Sequence, residues 1–514
     1  MKKISILLMV ALLLTALVPA AALAQDPVRV YVDGQVVTFT NPPVLEEGTT
    51  LVEFRPIFER LGLTVDWDPD TRTVTGSKEG LRIELRIGVS TALVNGRQVP
   101  LRLAPRIQNG RTLVPLRFVS EEAGFPVHWD GAARRVLIGS TDTVPPSGDI
   151  LQVAAGAAHM LALAGDGQVY VWGANNRGQL GLGDGIERTR PQALGGLPLV
   201  SALAGGGSHS MALRPDGGLW TWGLNIYGQL GSGNTVDRSR PGEIDLSAIT
   251  QISAGGLFRP VSLGDGRTRE QSAHSLALRS DGTVFAWGSN DRGQLGDGTK
   301  VDRTRPTAIA GLGSVRQVQA GGFHSLALGT DGRVYSWGDN RYGQLGDDSM
   351  VDRTRPVAVS GLSRVSAVAA GGNHSLALTE DGRAYAWGSN RYGQLGDGTL
   401  LERDQPVAVA GLTGVIAVAA GDNHSLALRS DGTVWAWGLN EDGQLGTGIR
   451  VERRSPAQVD GLANVRQIVA GEGFSAALTA GGEVWCWGRN NRGQLGIGGF
   501  TERTRPQQVV FPAP

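Results

Sequence analysis

From residue 150 onward the chain alternates between short apolar runs and polar, glycine-rich stretches, with a fixed period. One unit illustrates the pattern. Residues 315–320 alternate apolar and polar, and 324–328 (HSLAL) are almost wholly apolar. Residues 333–337 end on Trp337, and 356–359 follow a long polar segment. Alternation over a few residues predicts a half-buried strand, and a short apolar run bounded by turn residues predicts a buried one. Asp-Gly pairs such as Asp216-Gly217, Asp281-Gly282 and Asp331-Gly332 separate the second and third runs, with Gly481-Gly482 in the last unit. They supply the positive φ of a tight hairpin. Each unit is therefore expected to hold four short antiparallel strands.

Trp-Gly marks the units, at Trp172, Trp222, Trp287, Trp337, Trp387, Trp437 and Trp487, each followed by Gly-Gln-Leu-Gly. The spacing is 50 residues except for one interval of 65. Such a period means a repeat architecture. One four-stranded sheet cannot cover both its faces, whereas seven stacked around an axis can. The expected fold is mainly β: a seven-bladed β-propeller over residues 150–511, preceded by a small N-terminal α+β domain. The repeated tryptophans are assigned to packing between blades. Closure requires residues 506–510 and 150–155 to meet, side by side in a sheet or at one blade seam.

Before residue 140 the pattern differs, and it is duplicated. Residues 50–62 (TLVEFRPIFERLG) with Val65-Asp66-Trp67-Asp68 match 112–124 (TLVPLRFVSEEAG) with Val127-His128-Trp129-Asp130. Each copy reads as a short helix ending at glycine, followed by a strand. Residues 28–139 form this α+β domain, and the polar 140–149 (STDTVPPSGD) reads as a linker. Residues 1–24 have a lysine pair, an apolar run, Pro19 and Ala22-Leu23-Ala24, the pattern of a secretory signal peptide. The alternative is an uncleaved anchor. No later segment is apolar enough to cross a bilayer, so no transmembrane segment is expected after signal removal.

Charge and chemistry narrow the function classes. Lys plus Arg and Asp plus Glu are 48 each, which argues against a nucleic-acid partner. The one cysteine, Cys486, excludes a disulfide framework and reads as a core side chain. No nucleophile–base set, zinc spacing or phosphate loop stands out, so neither metal nor cofactor is expected. A hydrolase or lyase would need clustered acids at the axis, and the repeats offer none that differ from unit to unit.

The stretch 28–139 resembles the copper amine oxidase N-terminal-like domain of secreted bacterial proteins, through both Leu-Val-x-x-Arg segments and both Val-x-Trp-Asp strands. The resemblance implies a non-catalytic stalk or surface module. It does not import copper chemistry, because His128 is the only histidine there. HSLAL, Asp-Gly, Val-x-x-Trp-Gly, Asn-x-x-Gly-Gln-Leu-Gly and Arg-x-x-Pro resemble the regulator of chromosome condensation repeat family. That family's fold is a seven-bladed propeller.

Antiparallel strands alternate ends, so the first–second and third–fourth connections share one face. Most loop mass is expected there, where binding usually resides. Candidate partner-binding residues vary between units just before Gly-Gln-Leu-Gly: Tyr227, Tyr342 and Tyr392, with Arg177, Arg292, Arg341 and Arg391. Residues 257–273 are the insertion behind the long interval, and they add Arg259, Arg267 and Arg269 as a possible finger. The recurring Asp/Glu-Arg pairs, such as Asp302-Arg303 and Asp352-Arg353, read as pins for the long loop.

The expected function is a secreted or cell-surface, non-enzymatic binding protein whose propeller loops engage a protein or cell-envelope polymer. Two alternatives come from the resemblance. One is a guanine-nucleotide exchange factor-like regulator of a small GTPase, with 257–273 as its tool. The other is an inhibitor of β-lactamases or penicillin-binding enzymes, as for similar secreted bacterial propellers.

Overall fold

The computed structural model describes residues 28–512 apart from 33–34, 38, 40, 42, 47, 131–134, 140–149, 166, 258–260, 263–267 and 270–271. The expected signal (1–24) and linker (140–149) lie outside the described residues. The chain divides into two compact units, with the boundary between residues 140 and 141.

In the first unit the duplication becomes a pairing. Thr49–Glu53 of one copy and Arg111–Pro115 of the other run antiparallel, with Val52 opposite Val114. The expected helices begin only after these strands, as Phe54–Arg60 and Leu116–Glu122. The β-branched Thr and Val before them favour a pleated, half-buried surface over a helix. The positive φ of Gly62 and Gly124 ends each helix. Strand Arg135–Ile138 lies parallel to Arg29–Val32, joining the two ends of the unit in one sheet. Ile57, Phe58, Val119 and Leu116 are buried in its core. His128 is exposed.

The second unit is a ring of seven four-stranded antiparallel sheets, each formed by strands in chain order, here called a to d, with a two-stranded ribbon inserted between a and b of the third. Blade 1 comprises Ile150–Ala155, His159–Ala164, Val169–Gly173 and Arg188–Leu194. Blade 4 comprises Val315–Ala320, His324–Gly329, Val334–Gly338 and Arg353–Ala358. The a strands line a central tunnel of about 500 Å³. Their edges carry unpaired peptide groups, which need cover. Glutamine side chains supply it at four junctions. Gln152 Nε2 donates to Leu203 O at 3.2 Å, and its Oε1 accepts from Leu203 N at 2.9 Å. Gln317 does the same for Val368, Gln467 for Val153, and Gln251 Oε1 accepts from Val318 N.

The seven repeated tryptophans are fully buried between blades. Each indole N–H donates to the main-chain oxygen of the glutamine in the preceding blade's Gly-Gln-Leu-Gly, as Trp387 Nε1 does to Gln344 O at 2.9 Å. The same oxygen accepts the hydroxyl of Ser375 at 2.9 Å. That hydroxyl also meets His324 Nε2 of the preceding blade at 2.9 Å. The serine proton is committed to Gln344 O, so the imidazole donates through Nε2 and leaves Nδ1 bare. Six junctions have this His–Ser bridge: His159–Ser210, His209–Ser275, His274–Ser325, His324–Ser375, His374–Ser425 and His424–Ser475. The imidazoles also explain the Ala-Gly-Gly turns. A Cβ on Gly371 would lie 2.4 Å from the His374 ring and 2.6 Å from Gly421 O.

The seventh junction closes the ring, and it is a seam with no shared strand. Strands a of blades 7 and 1 are tied by Gln467 and by Arg466 Nη2 to Ile150 O at 2.6 Å. Trp172 Nε1 donates to Gln494 O at 3.0 Å, and Phe511 packs edge-on against Tyr170 and Trp172. Here Phe474 stands where the other blades have histidine, and Met160 where they have serine. Both belong to one apolar cluster. Phe474→His should therefore destabilise the ring by about 1–3 kcal/mol, because a buried N–H would face a thioether. Phe474→His with Met160→Ser should recover most of the loss in denaturant unfolding, since Gln494 O can take the new hydroxyl.

Candidate binding face

The a–b turns and the c–d loops lie at the same end of the barrel of blades. Six inter-blade main-chain bonds run around the axis at this end, among them Ala157 N to Gly206 O at 3.0 Å and Gly322 N to Gly371 O at 3.0 Å. Glu472 N to Ala157 O, 2.9 Å, crosses the seam.

Each c–d loop is folded around an asparagine. In blade 4, Asn340 Oδ1 accepts from Leu345 N at 2.9 Å, and Asn340 N donates to Asp352 Oδ1 at 3.0 Å. Arg353 pairs with Asp347 at 2.7 Å, as Arg303 does with Asp297 and Arg403 with Asp397. Burial raises the Asp297 carboxyl, but hydrogen bonds from Thr299 and Arg303 outweigh it and hold it below the ordinary value. These groups fix the loop and are occupied in doing so.

The candidate binding residues sit on these loops in different states. Tyr227, Tyr342 and Tyr392 are half-buried, and each main-chain N–H donates to the glutamine side chain two residues on. Arg341 stacks 5.8 Å from the Tyr342 ring and is clamped by Asp339 at 2.8 and 3.2 Å. Arg391 stacks on Tyr392 in the same way, but Ser389 replaces the aspartate. Arg292 lies 3.8 Å from Asp352 of the next blade. Arg177 is half-buried, and its main-chain N–H donates to Gln179 Oε1. Arg259 and Arg267 lie outside the described residues. Arg269 belongs to a short ribbon, Thr268–Arg269 paired with Val261–Ser262, and the Leu257–Ser272 bridge roots this insertion beside the axis.

Two features of this face escape the sequence reading. The first is apolar. Of 17 exposed large apolar side chains among the described residues, 11 lie on the c–d loops, including Ile186, Val236, Val301, Val351, Leu401 and Val451 just before the Asp/Glu-Arg pairs. Scattered exposed apolar residues are ordinary, but a ring confined to one face is a mark of interaction. Its signal was an apolar residue recurring inside an otherwise polar loop.

The second feature corrects the expectation that no acids differ by unit at the axis. Asp422 and Glu472 replace small residues of the a–b turn in blades 6 and 7 and line the axial mouth. Glu472 lies 3.4 Å from Arg489, which also pairs with Asp442 at 2.7 Å, and Asn423 Nδ2 donates to Asp422 Oδ2 at 2.8 Å. Comparing the turns residue by residue, not as one Ala-Gly-Gly motif, would have exposed them. Cys486 is buried, and burial raises its thiol above the ordinary range.

A closed ring of seven four-stranded blades, each locking the next through Trp and Gln and at six junctions through Ser, defines a repeat propeller with its variable surface on one face. The RCC1-like domain profile matches residues 271–513, and the regulator of chromosome condensation (RCC1) repeat profile matches 166–213 and 216–258. The copper amine oxidase N-terminal domain profile matches 31–138. The second unit is an RCC1-like propeller built of regulator of chromosome condensation repeats, and the first is a copper amine oxidase N-terminal-type domain.

Among curated relatives, the human probable E3 ubiquitin-protein ligase HERC3 is 35% identical over 31% of this chain and 9% of its own. The Arabidopsis thaliana ultraviolet-B receptor UVR8 is 35% identical over 31% of this chain and 34% of its own. The chain thus matches about a third or less of these relatives' lengths. Of solved structures, human WBSCR16 is 28% identical with a TM-score of 0.59, covering 67% of this chain and 94% of that one. Prp20p from Saccharomyces cerevisiae is 25% identical with a TM-score of 0.57, covering 66% of this chain and 85% of that one.

Proposed function

We propose that this chain is an exported, non-enzymatic binding protein whose c–d loop face grips a protein partner, with the first unit as its stalk. One observation carries the reading. The polar groups repeated in each blade are used in holding blades and loops together, while the exposed apolar and unit-specific side chains gather on one face. Prp20p has binding properties toward Gsp1p and histones, so a propeller of this kind can serve as a protein-binding platform. Partner choice would then lie in what varies between blades. The ribbon rooted at the axial mouth also suits a regulator that engages a GTPase, a reading that requires a cytosolic chain.

The test is capture on immobilised residues 25–514, beside a variant carrying Tyr342→Ala, Tyr392→Ala, Val351→Asp and Leu401→Asp. A partner bound by the first should be retained at least about tenfold less by the second, in keeping with the loss of several interface anchors. Equal retention would remove the loop face as the site. Recovery of mature protein beginning at Gln25 from the medium checks export, and a chain still beginning at Met1 inside the cell refutes it.

A further inference from the structure

The rim of the loop face carries ion pairs between neighbouring blades. At three junctions the acid of one blade's Asp/Glu-Arg pair meets a cation on the preceding blade's loop. Lys300 Nζ lies 3.4 Å and Arg292 Nη1 3.8 Å from Asp352 Oδ2. Arg450 Nη2 lies 2.6 Å from Glu502 Oε2, and Arg492 Nη1 lies 2.7 Å from Glu187 Oε1 across the seam. Two repeat positions supply these cations, the one held by Lys300 and Arg450 and the one held by Arg292 and Arg492.

Between blades 4 and 5 those positions hold Met350 and Tyr342, and between blades 5 and 6 they hold Leu400 and Tyr392. The acids they would serve are Glu402 and Glu452. Both are exposed, and neither has an ion pair within 4.0 Å among the described residues. Leu401 and Val451, next to them in sequence, are 62% and 55% exposed. Desolvation holds the Glu402 carboxyl above its ordinary value, as expected of an acid in apolar surroundings without a cation. Arg403, its neighbour, is occupied by Asp397. Glu452 is followed by the exposed Arg453 and Arg454, so its field is the weaker.

Resting on the loop-face reading above, we infer that Glu402 and, more weakly, Glu452 receive basic side chains of the protein partner, held by carboxylate and aliphatic contact. The partner segment is basic and amphipathic. Its ammonium or guanidinium groups take the places that Lys300 and Arg450 take elsewhere, and its apolar residues meet Met350, Leu400 and Leu401. A carboxylate without a partner favours a cation over other polar groups.

The probe is octalysine, coupled to the full-length mature protein by a zero-length carbodiimide cross-link and mapped by mass spectrometry, with acetylated octalysine as control. Cross-links should concentrate at Glu402, then Glu452, over the internally paired Glu502 and Asp352. Met350→Lys with Leu400→Lys supplies the missing cations from within. This variant should keep its fold by circular dichroism and bind octalysine about fivefold less tightly, the scale of an exposed pair. Cross-links spread evenly over Asp331, Glu380, Glu402 and Glu502, or unchanged affinity in the double-lysine variant, would overturn the inference. A captured partner that ignores the double-lysine variant but is lost with the tyrosine–aspartate variant also overturns it, and leaves the loop-face reading standing.

Discussion

Lowering the pH from 7 to 5 should cost the propeller stability far faster than carboxylate titration can. The cause is the six buried imidazoles of the His–Ser bridges. Burial lowers their pKa to about 4 for His159 and His324, and to about 3 for His209, His274, His374 and His424. An unfolded histidine titrates near 6.5. The folded pKa is the depressed one, so above about pH 6.5 neither state is protonated and the contribution is intact. As the pH falls below that value the unfolded chain takes up protons that the folded ring refuses. Each site then removes about 1.4 kcal/mol per pH unit, and six remove about 8 kcal/mol per unit until the folded pKa values are reached. Against a net stability on the order of 5–15 kcal/mol, the loss of about 12 kcal/mol accumulated by pH 5 should bring unfolding between about pH 6 and 4.5. Denaturant midpoints measured from pH 7.5 to 4.5 check this. His374→Phe with Ser425→Met copies the Phe474–Met160 pair of the seam, and it should lower the slope by about one-sixth, one proton of six. A flat profile down to pH 4 would mean that the folded ring accepts the protons.

Trp387→Ala should be the most damaging of the single apolar truncations. The indole is fully buried against Leu326, Leu328 and Val334 of blade 4 and Val365 of its own blade. Removing it should cost about 3–5 kcal/mol through lost burial and the cavity left behind. Trp387→Phe separates packing from hydrogen bonding. It keeps most of the apolar contact and loses only the donor to Gln344 O, whose other partner, Ser375, remains. A loss of about 1 kcal/mol is expected for that variant. Equal losses for both variants in urea unfolding would place the whole effect on the indole N–H.

Much of the ring was legible because its instructions are local. Asp-Gly pairs name the hairpins, alternation names the strands, and an identical Trp-Gly in each unit names the period. The bonds that join blades are not local. His324 and Ser375 are adjacent letters of the same HSLAL motif in consecutive units, so both read as buried strand and neither reads as the other's partner. The seam was written in the chain as two separate exceptions, Met160 at one end and Phe474 at the other. They become one fact only when the ring is closed. In the first unit, the apolar segment before each helix was read as part of it. The pairing of Val52 with Val114 across the duplication is what makes it strand. On the loop face, sequence variation singled out Tyr342 and Tyr392 as candidates, while the apolar rim and the axial Asp422 and Glu472 escaped because each is a single residue inside a loop or turn otherwise read as polar or as Ala-Gly-Gly.

The seam between Phe511 and Trp172 has a topological consequence. No strand is shared there, and apart from the His–Ser bridge the ties across it are of kinds found at other junctions: a glutamine on a strand edge, an indole on a main-chain oxygen, a main-chain bond at the axis. Chain continuity is thus incidental to the circle, and each blade is held by its neighbours much as a stave is held in a cask. A polypeptide threaded from another joint, with residues 511 and 150 spliced, would keep every contact described for the ring.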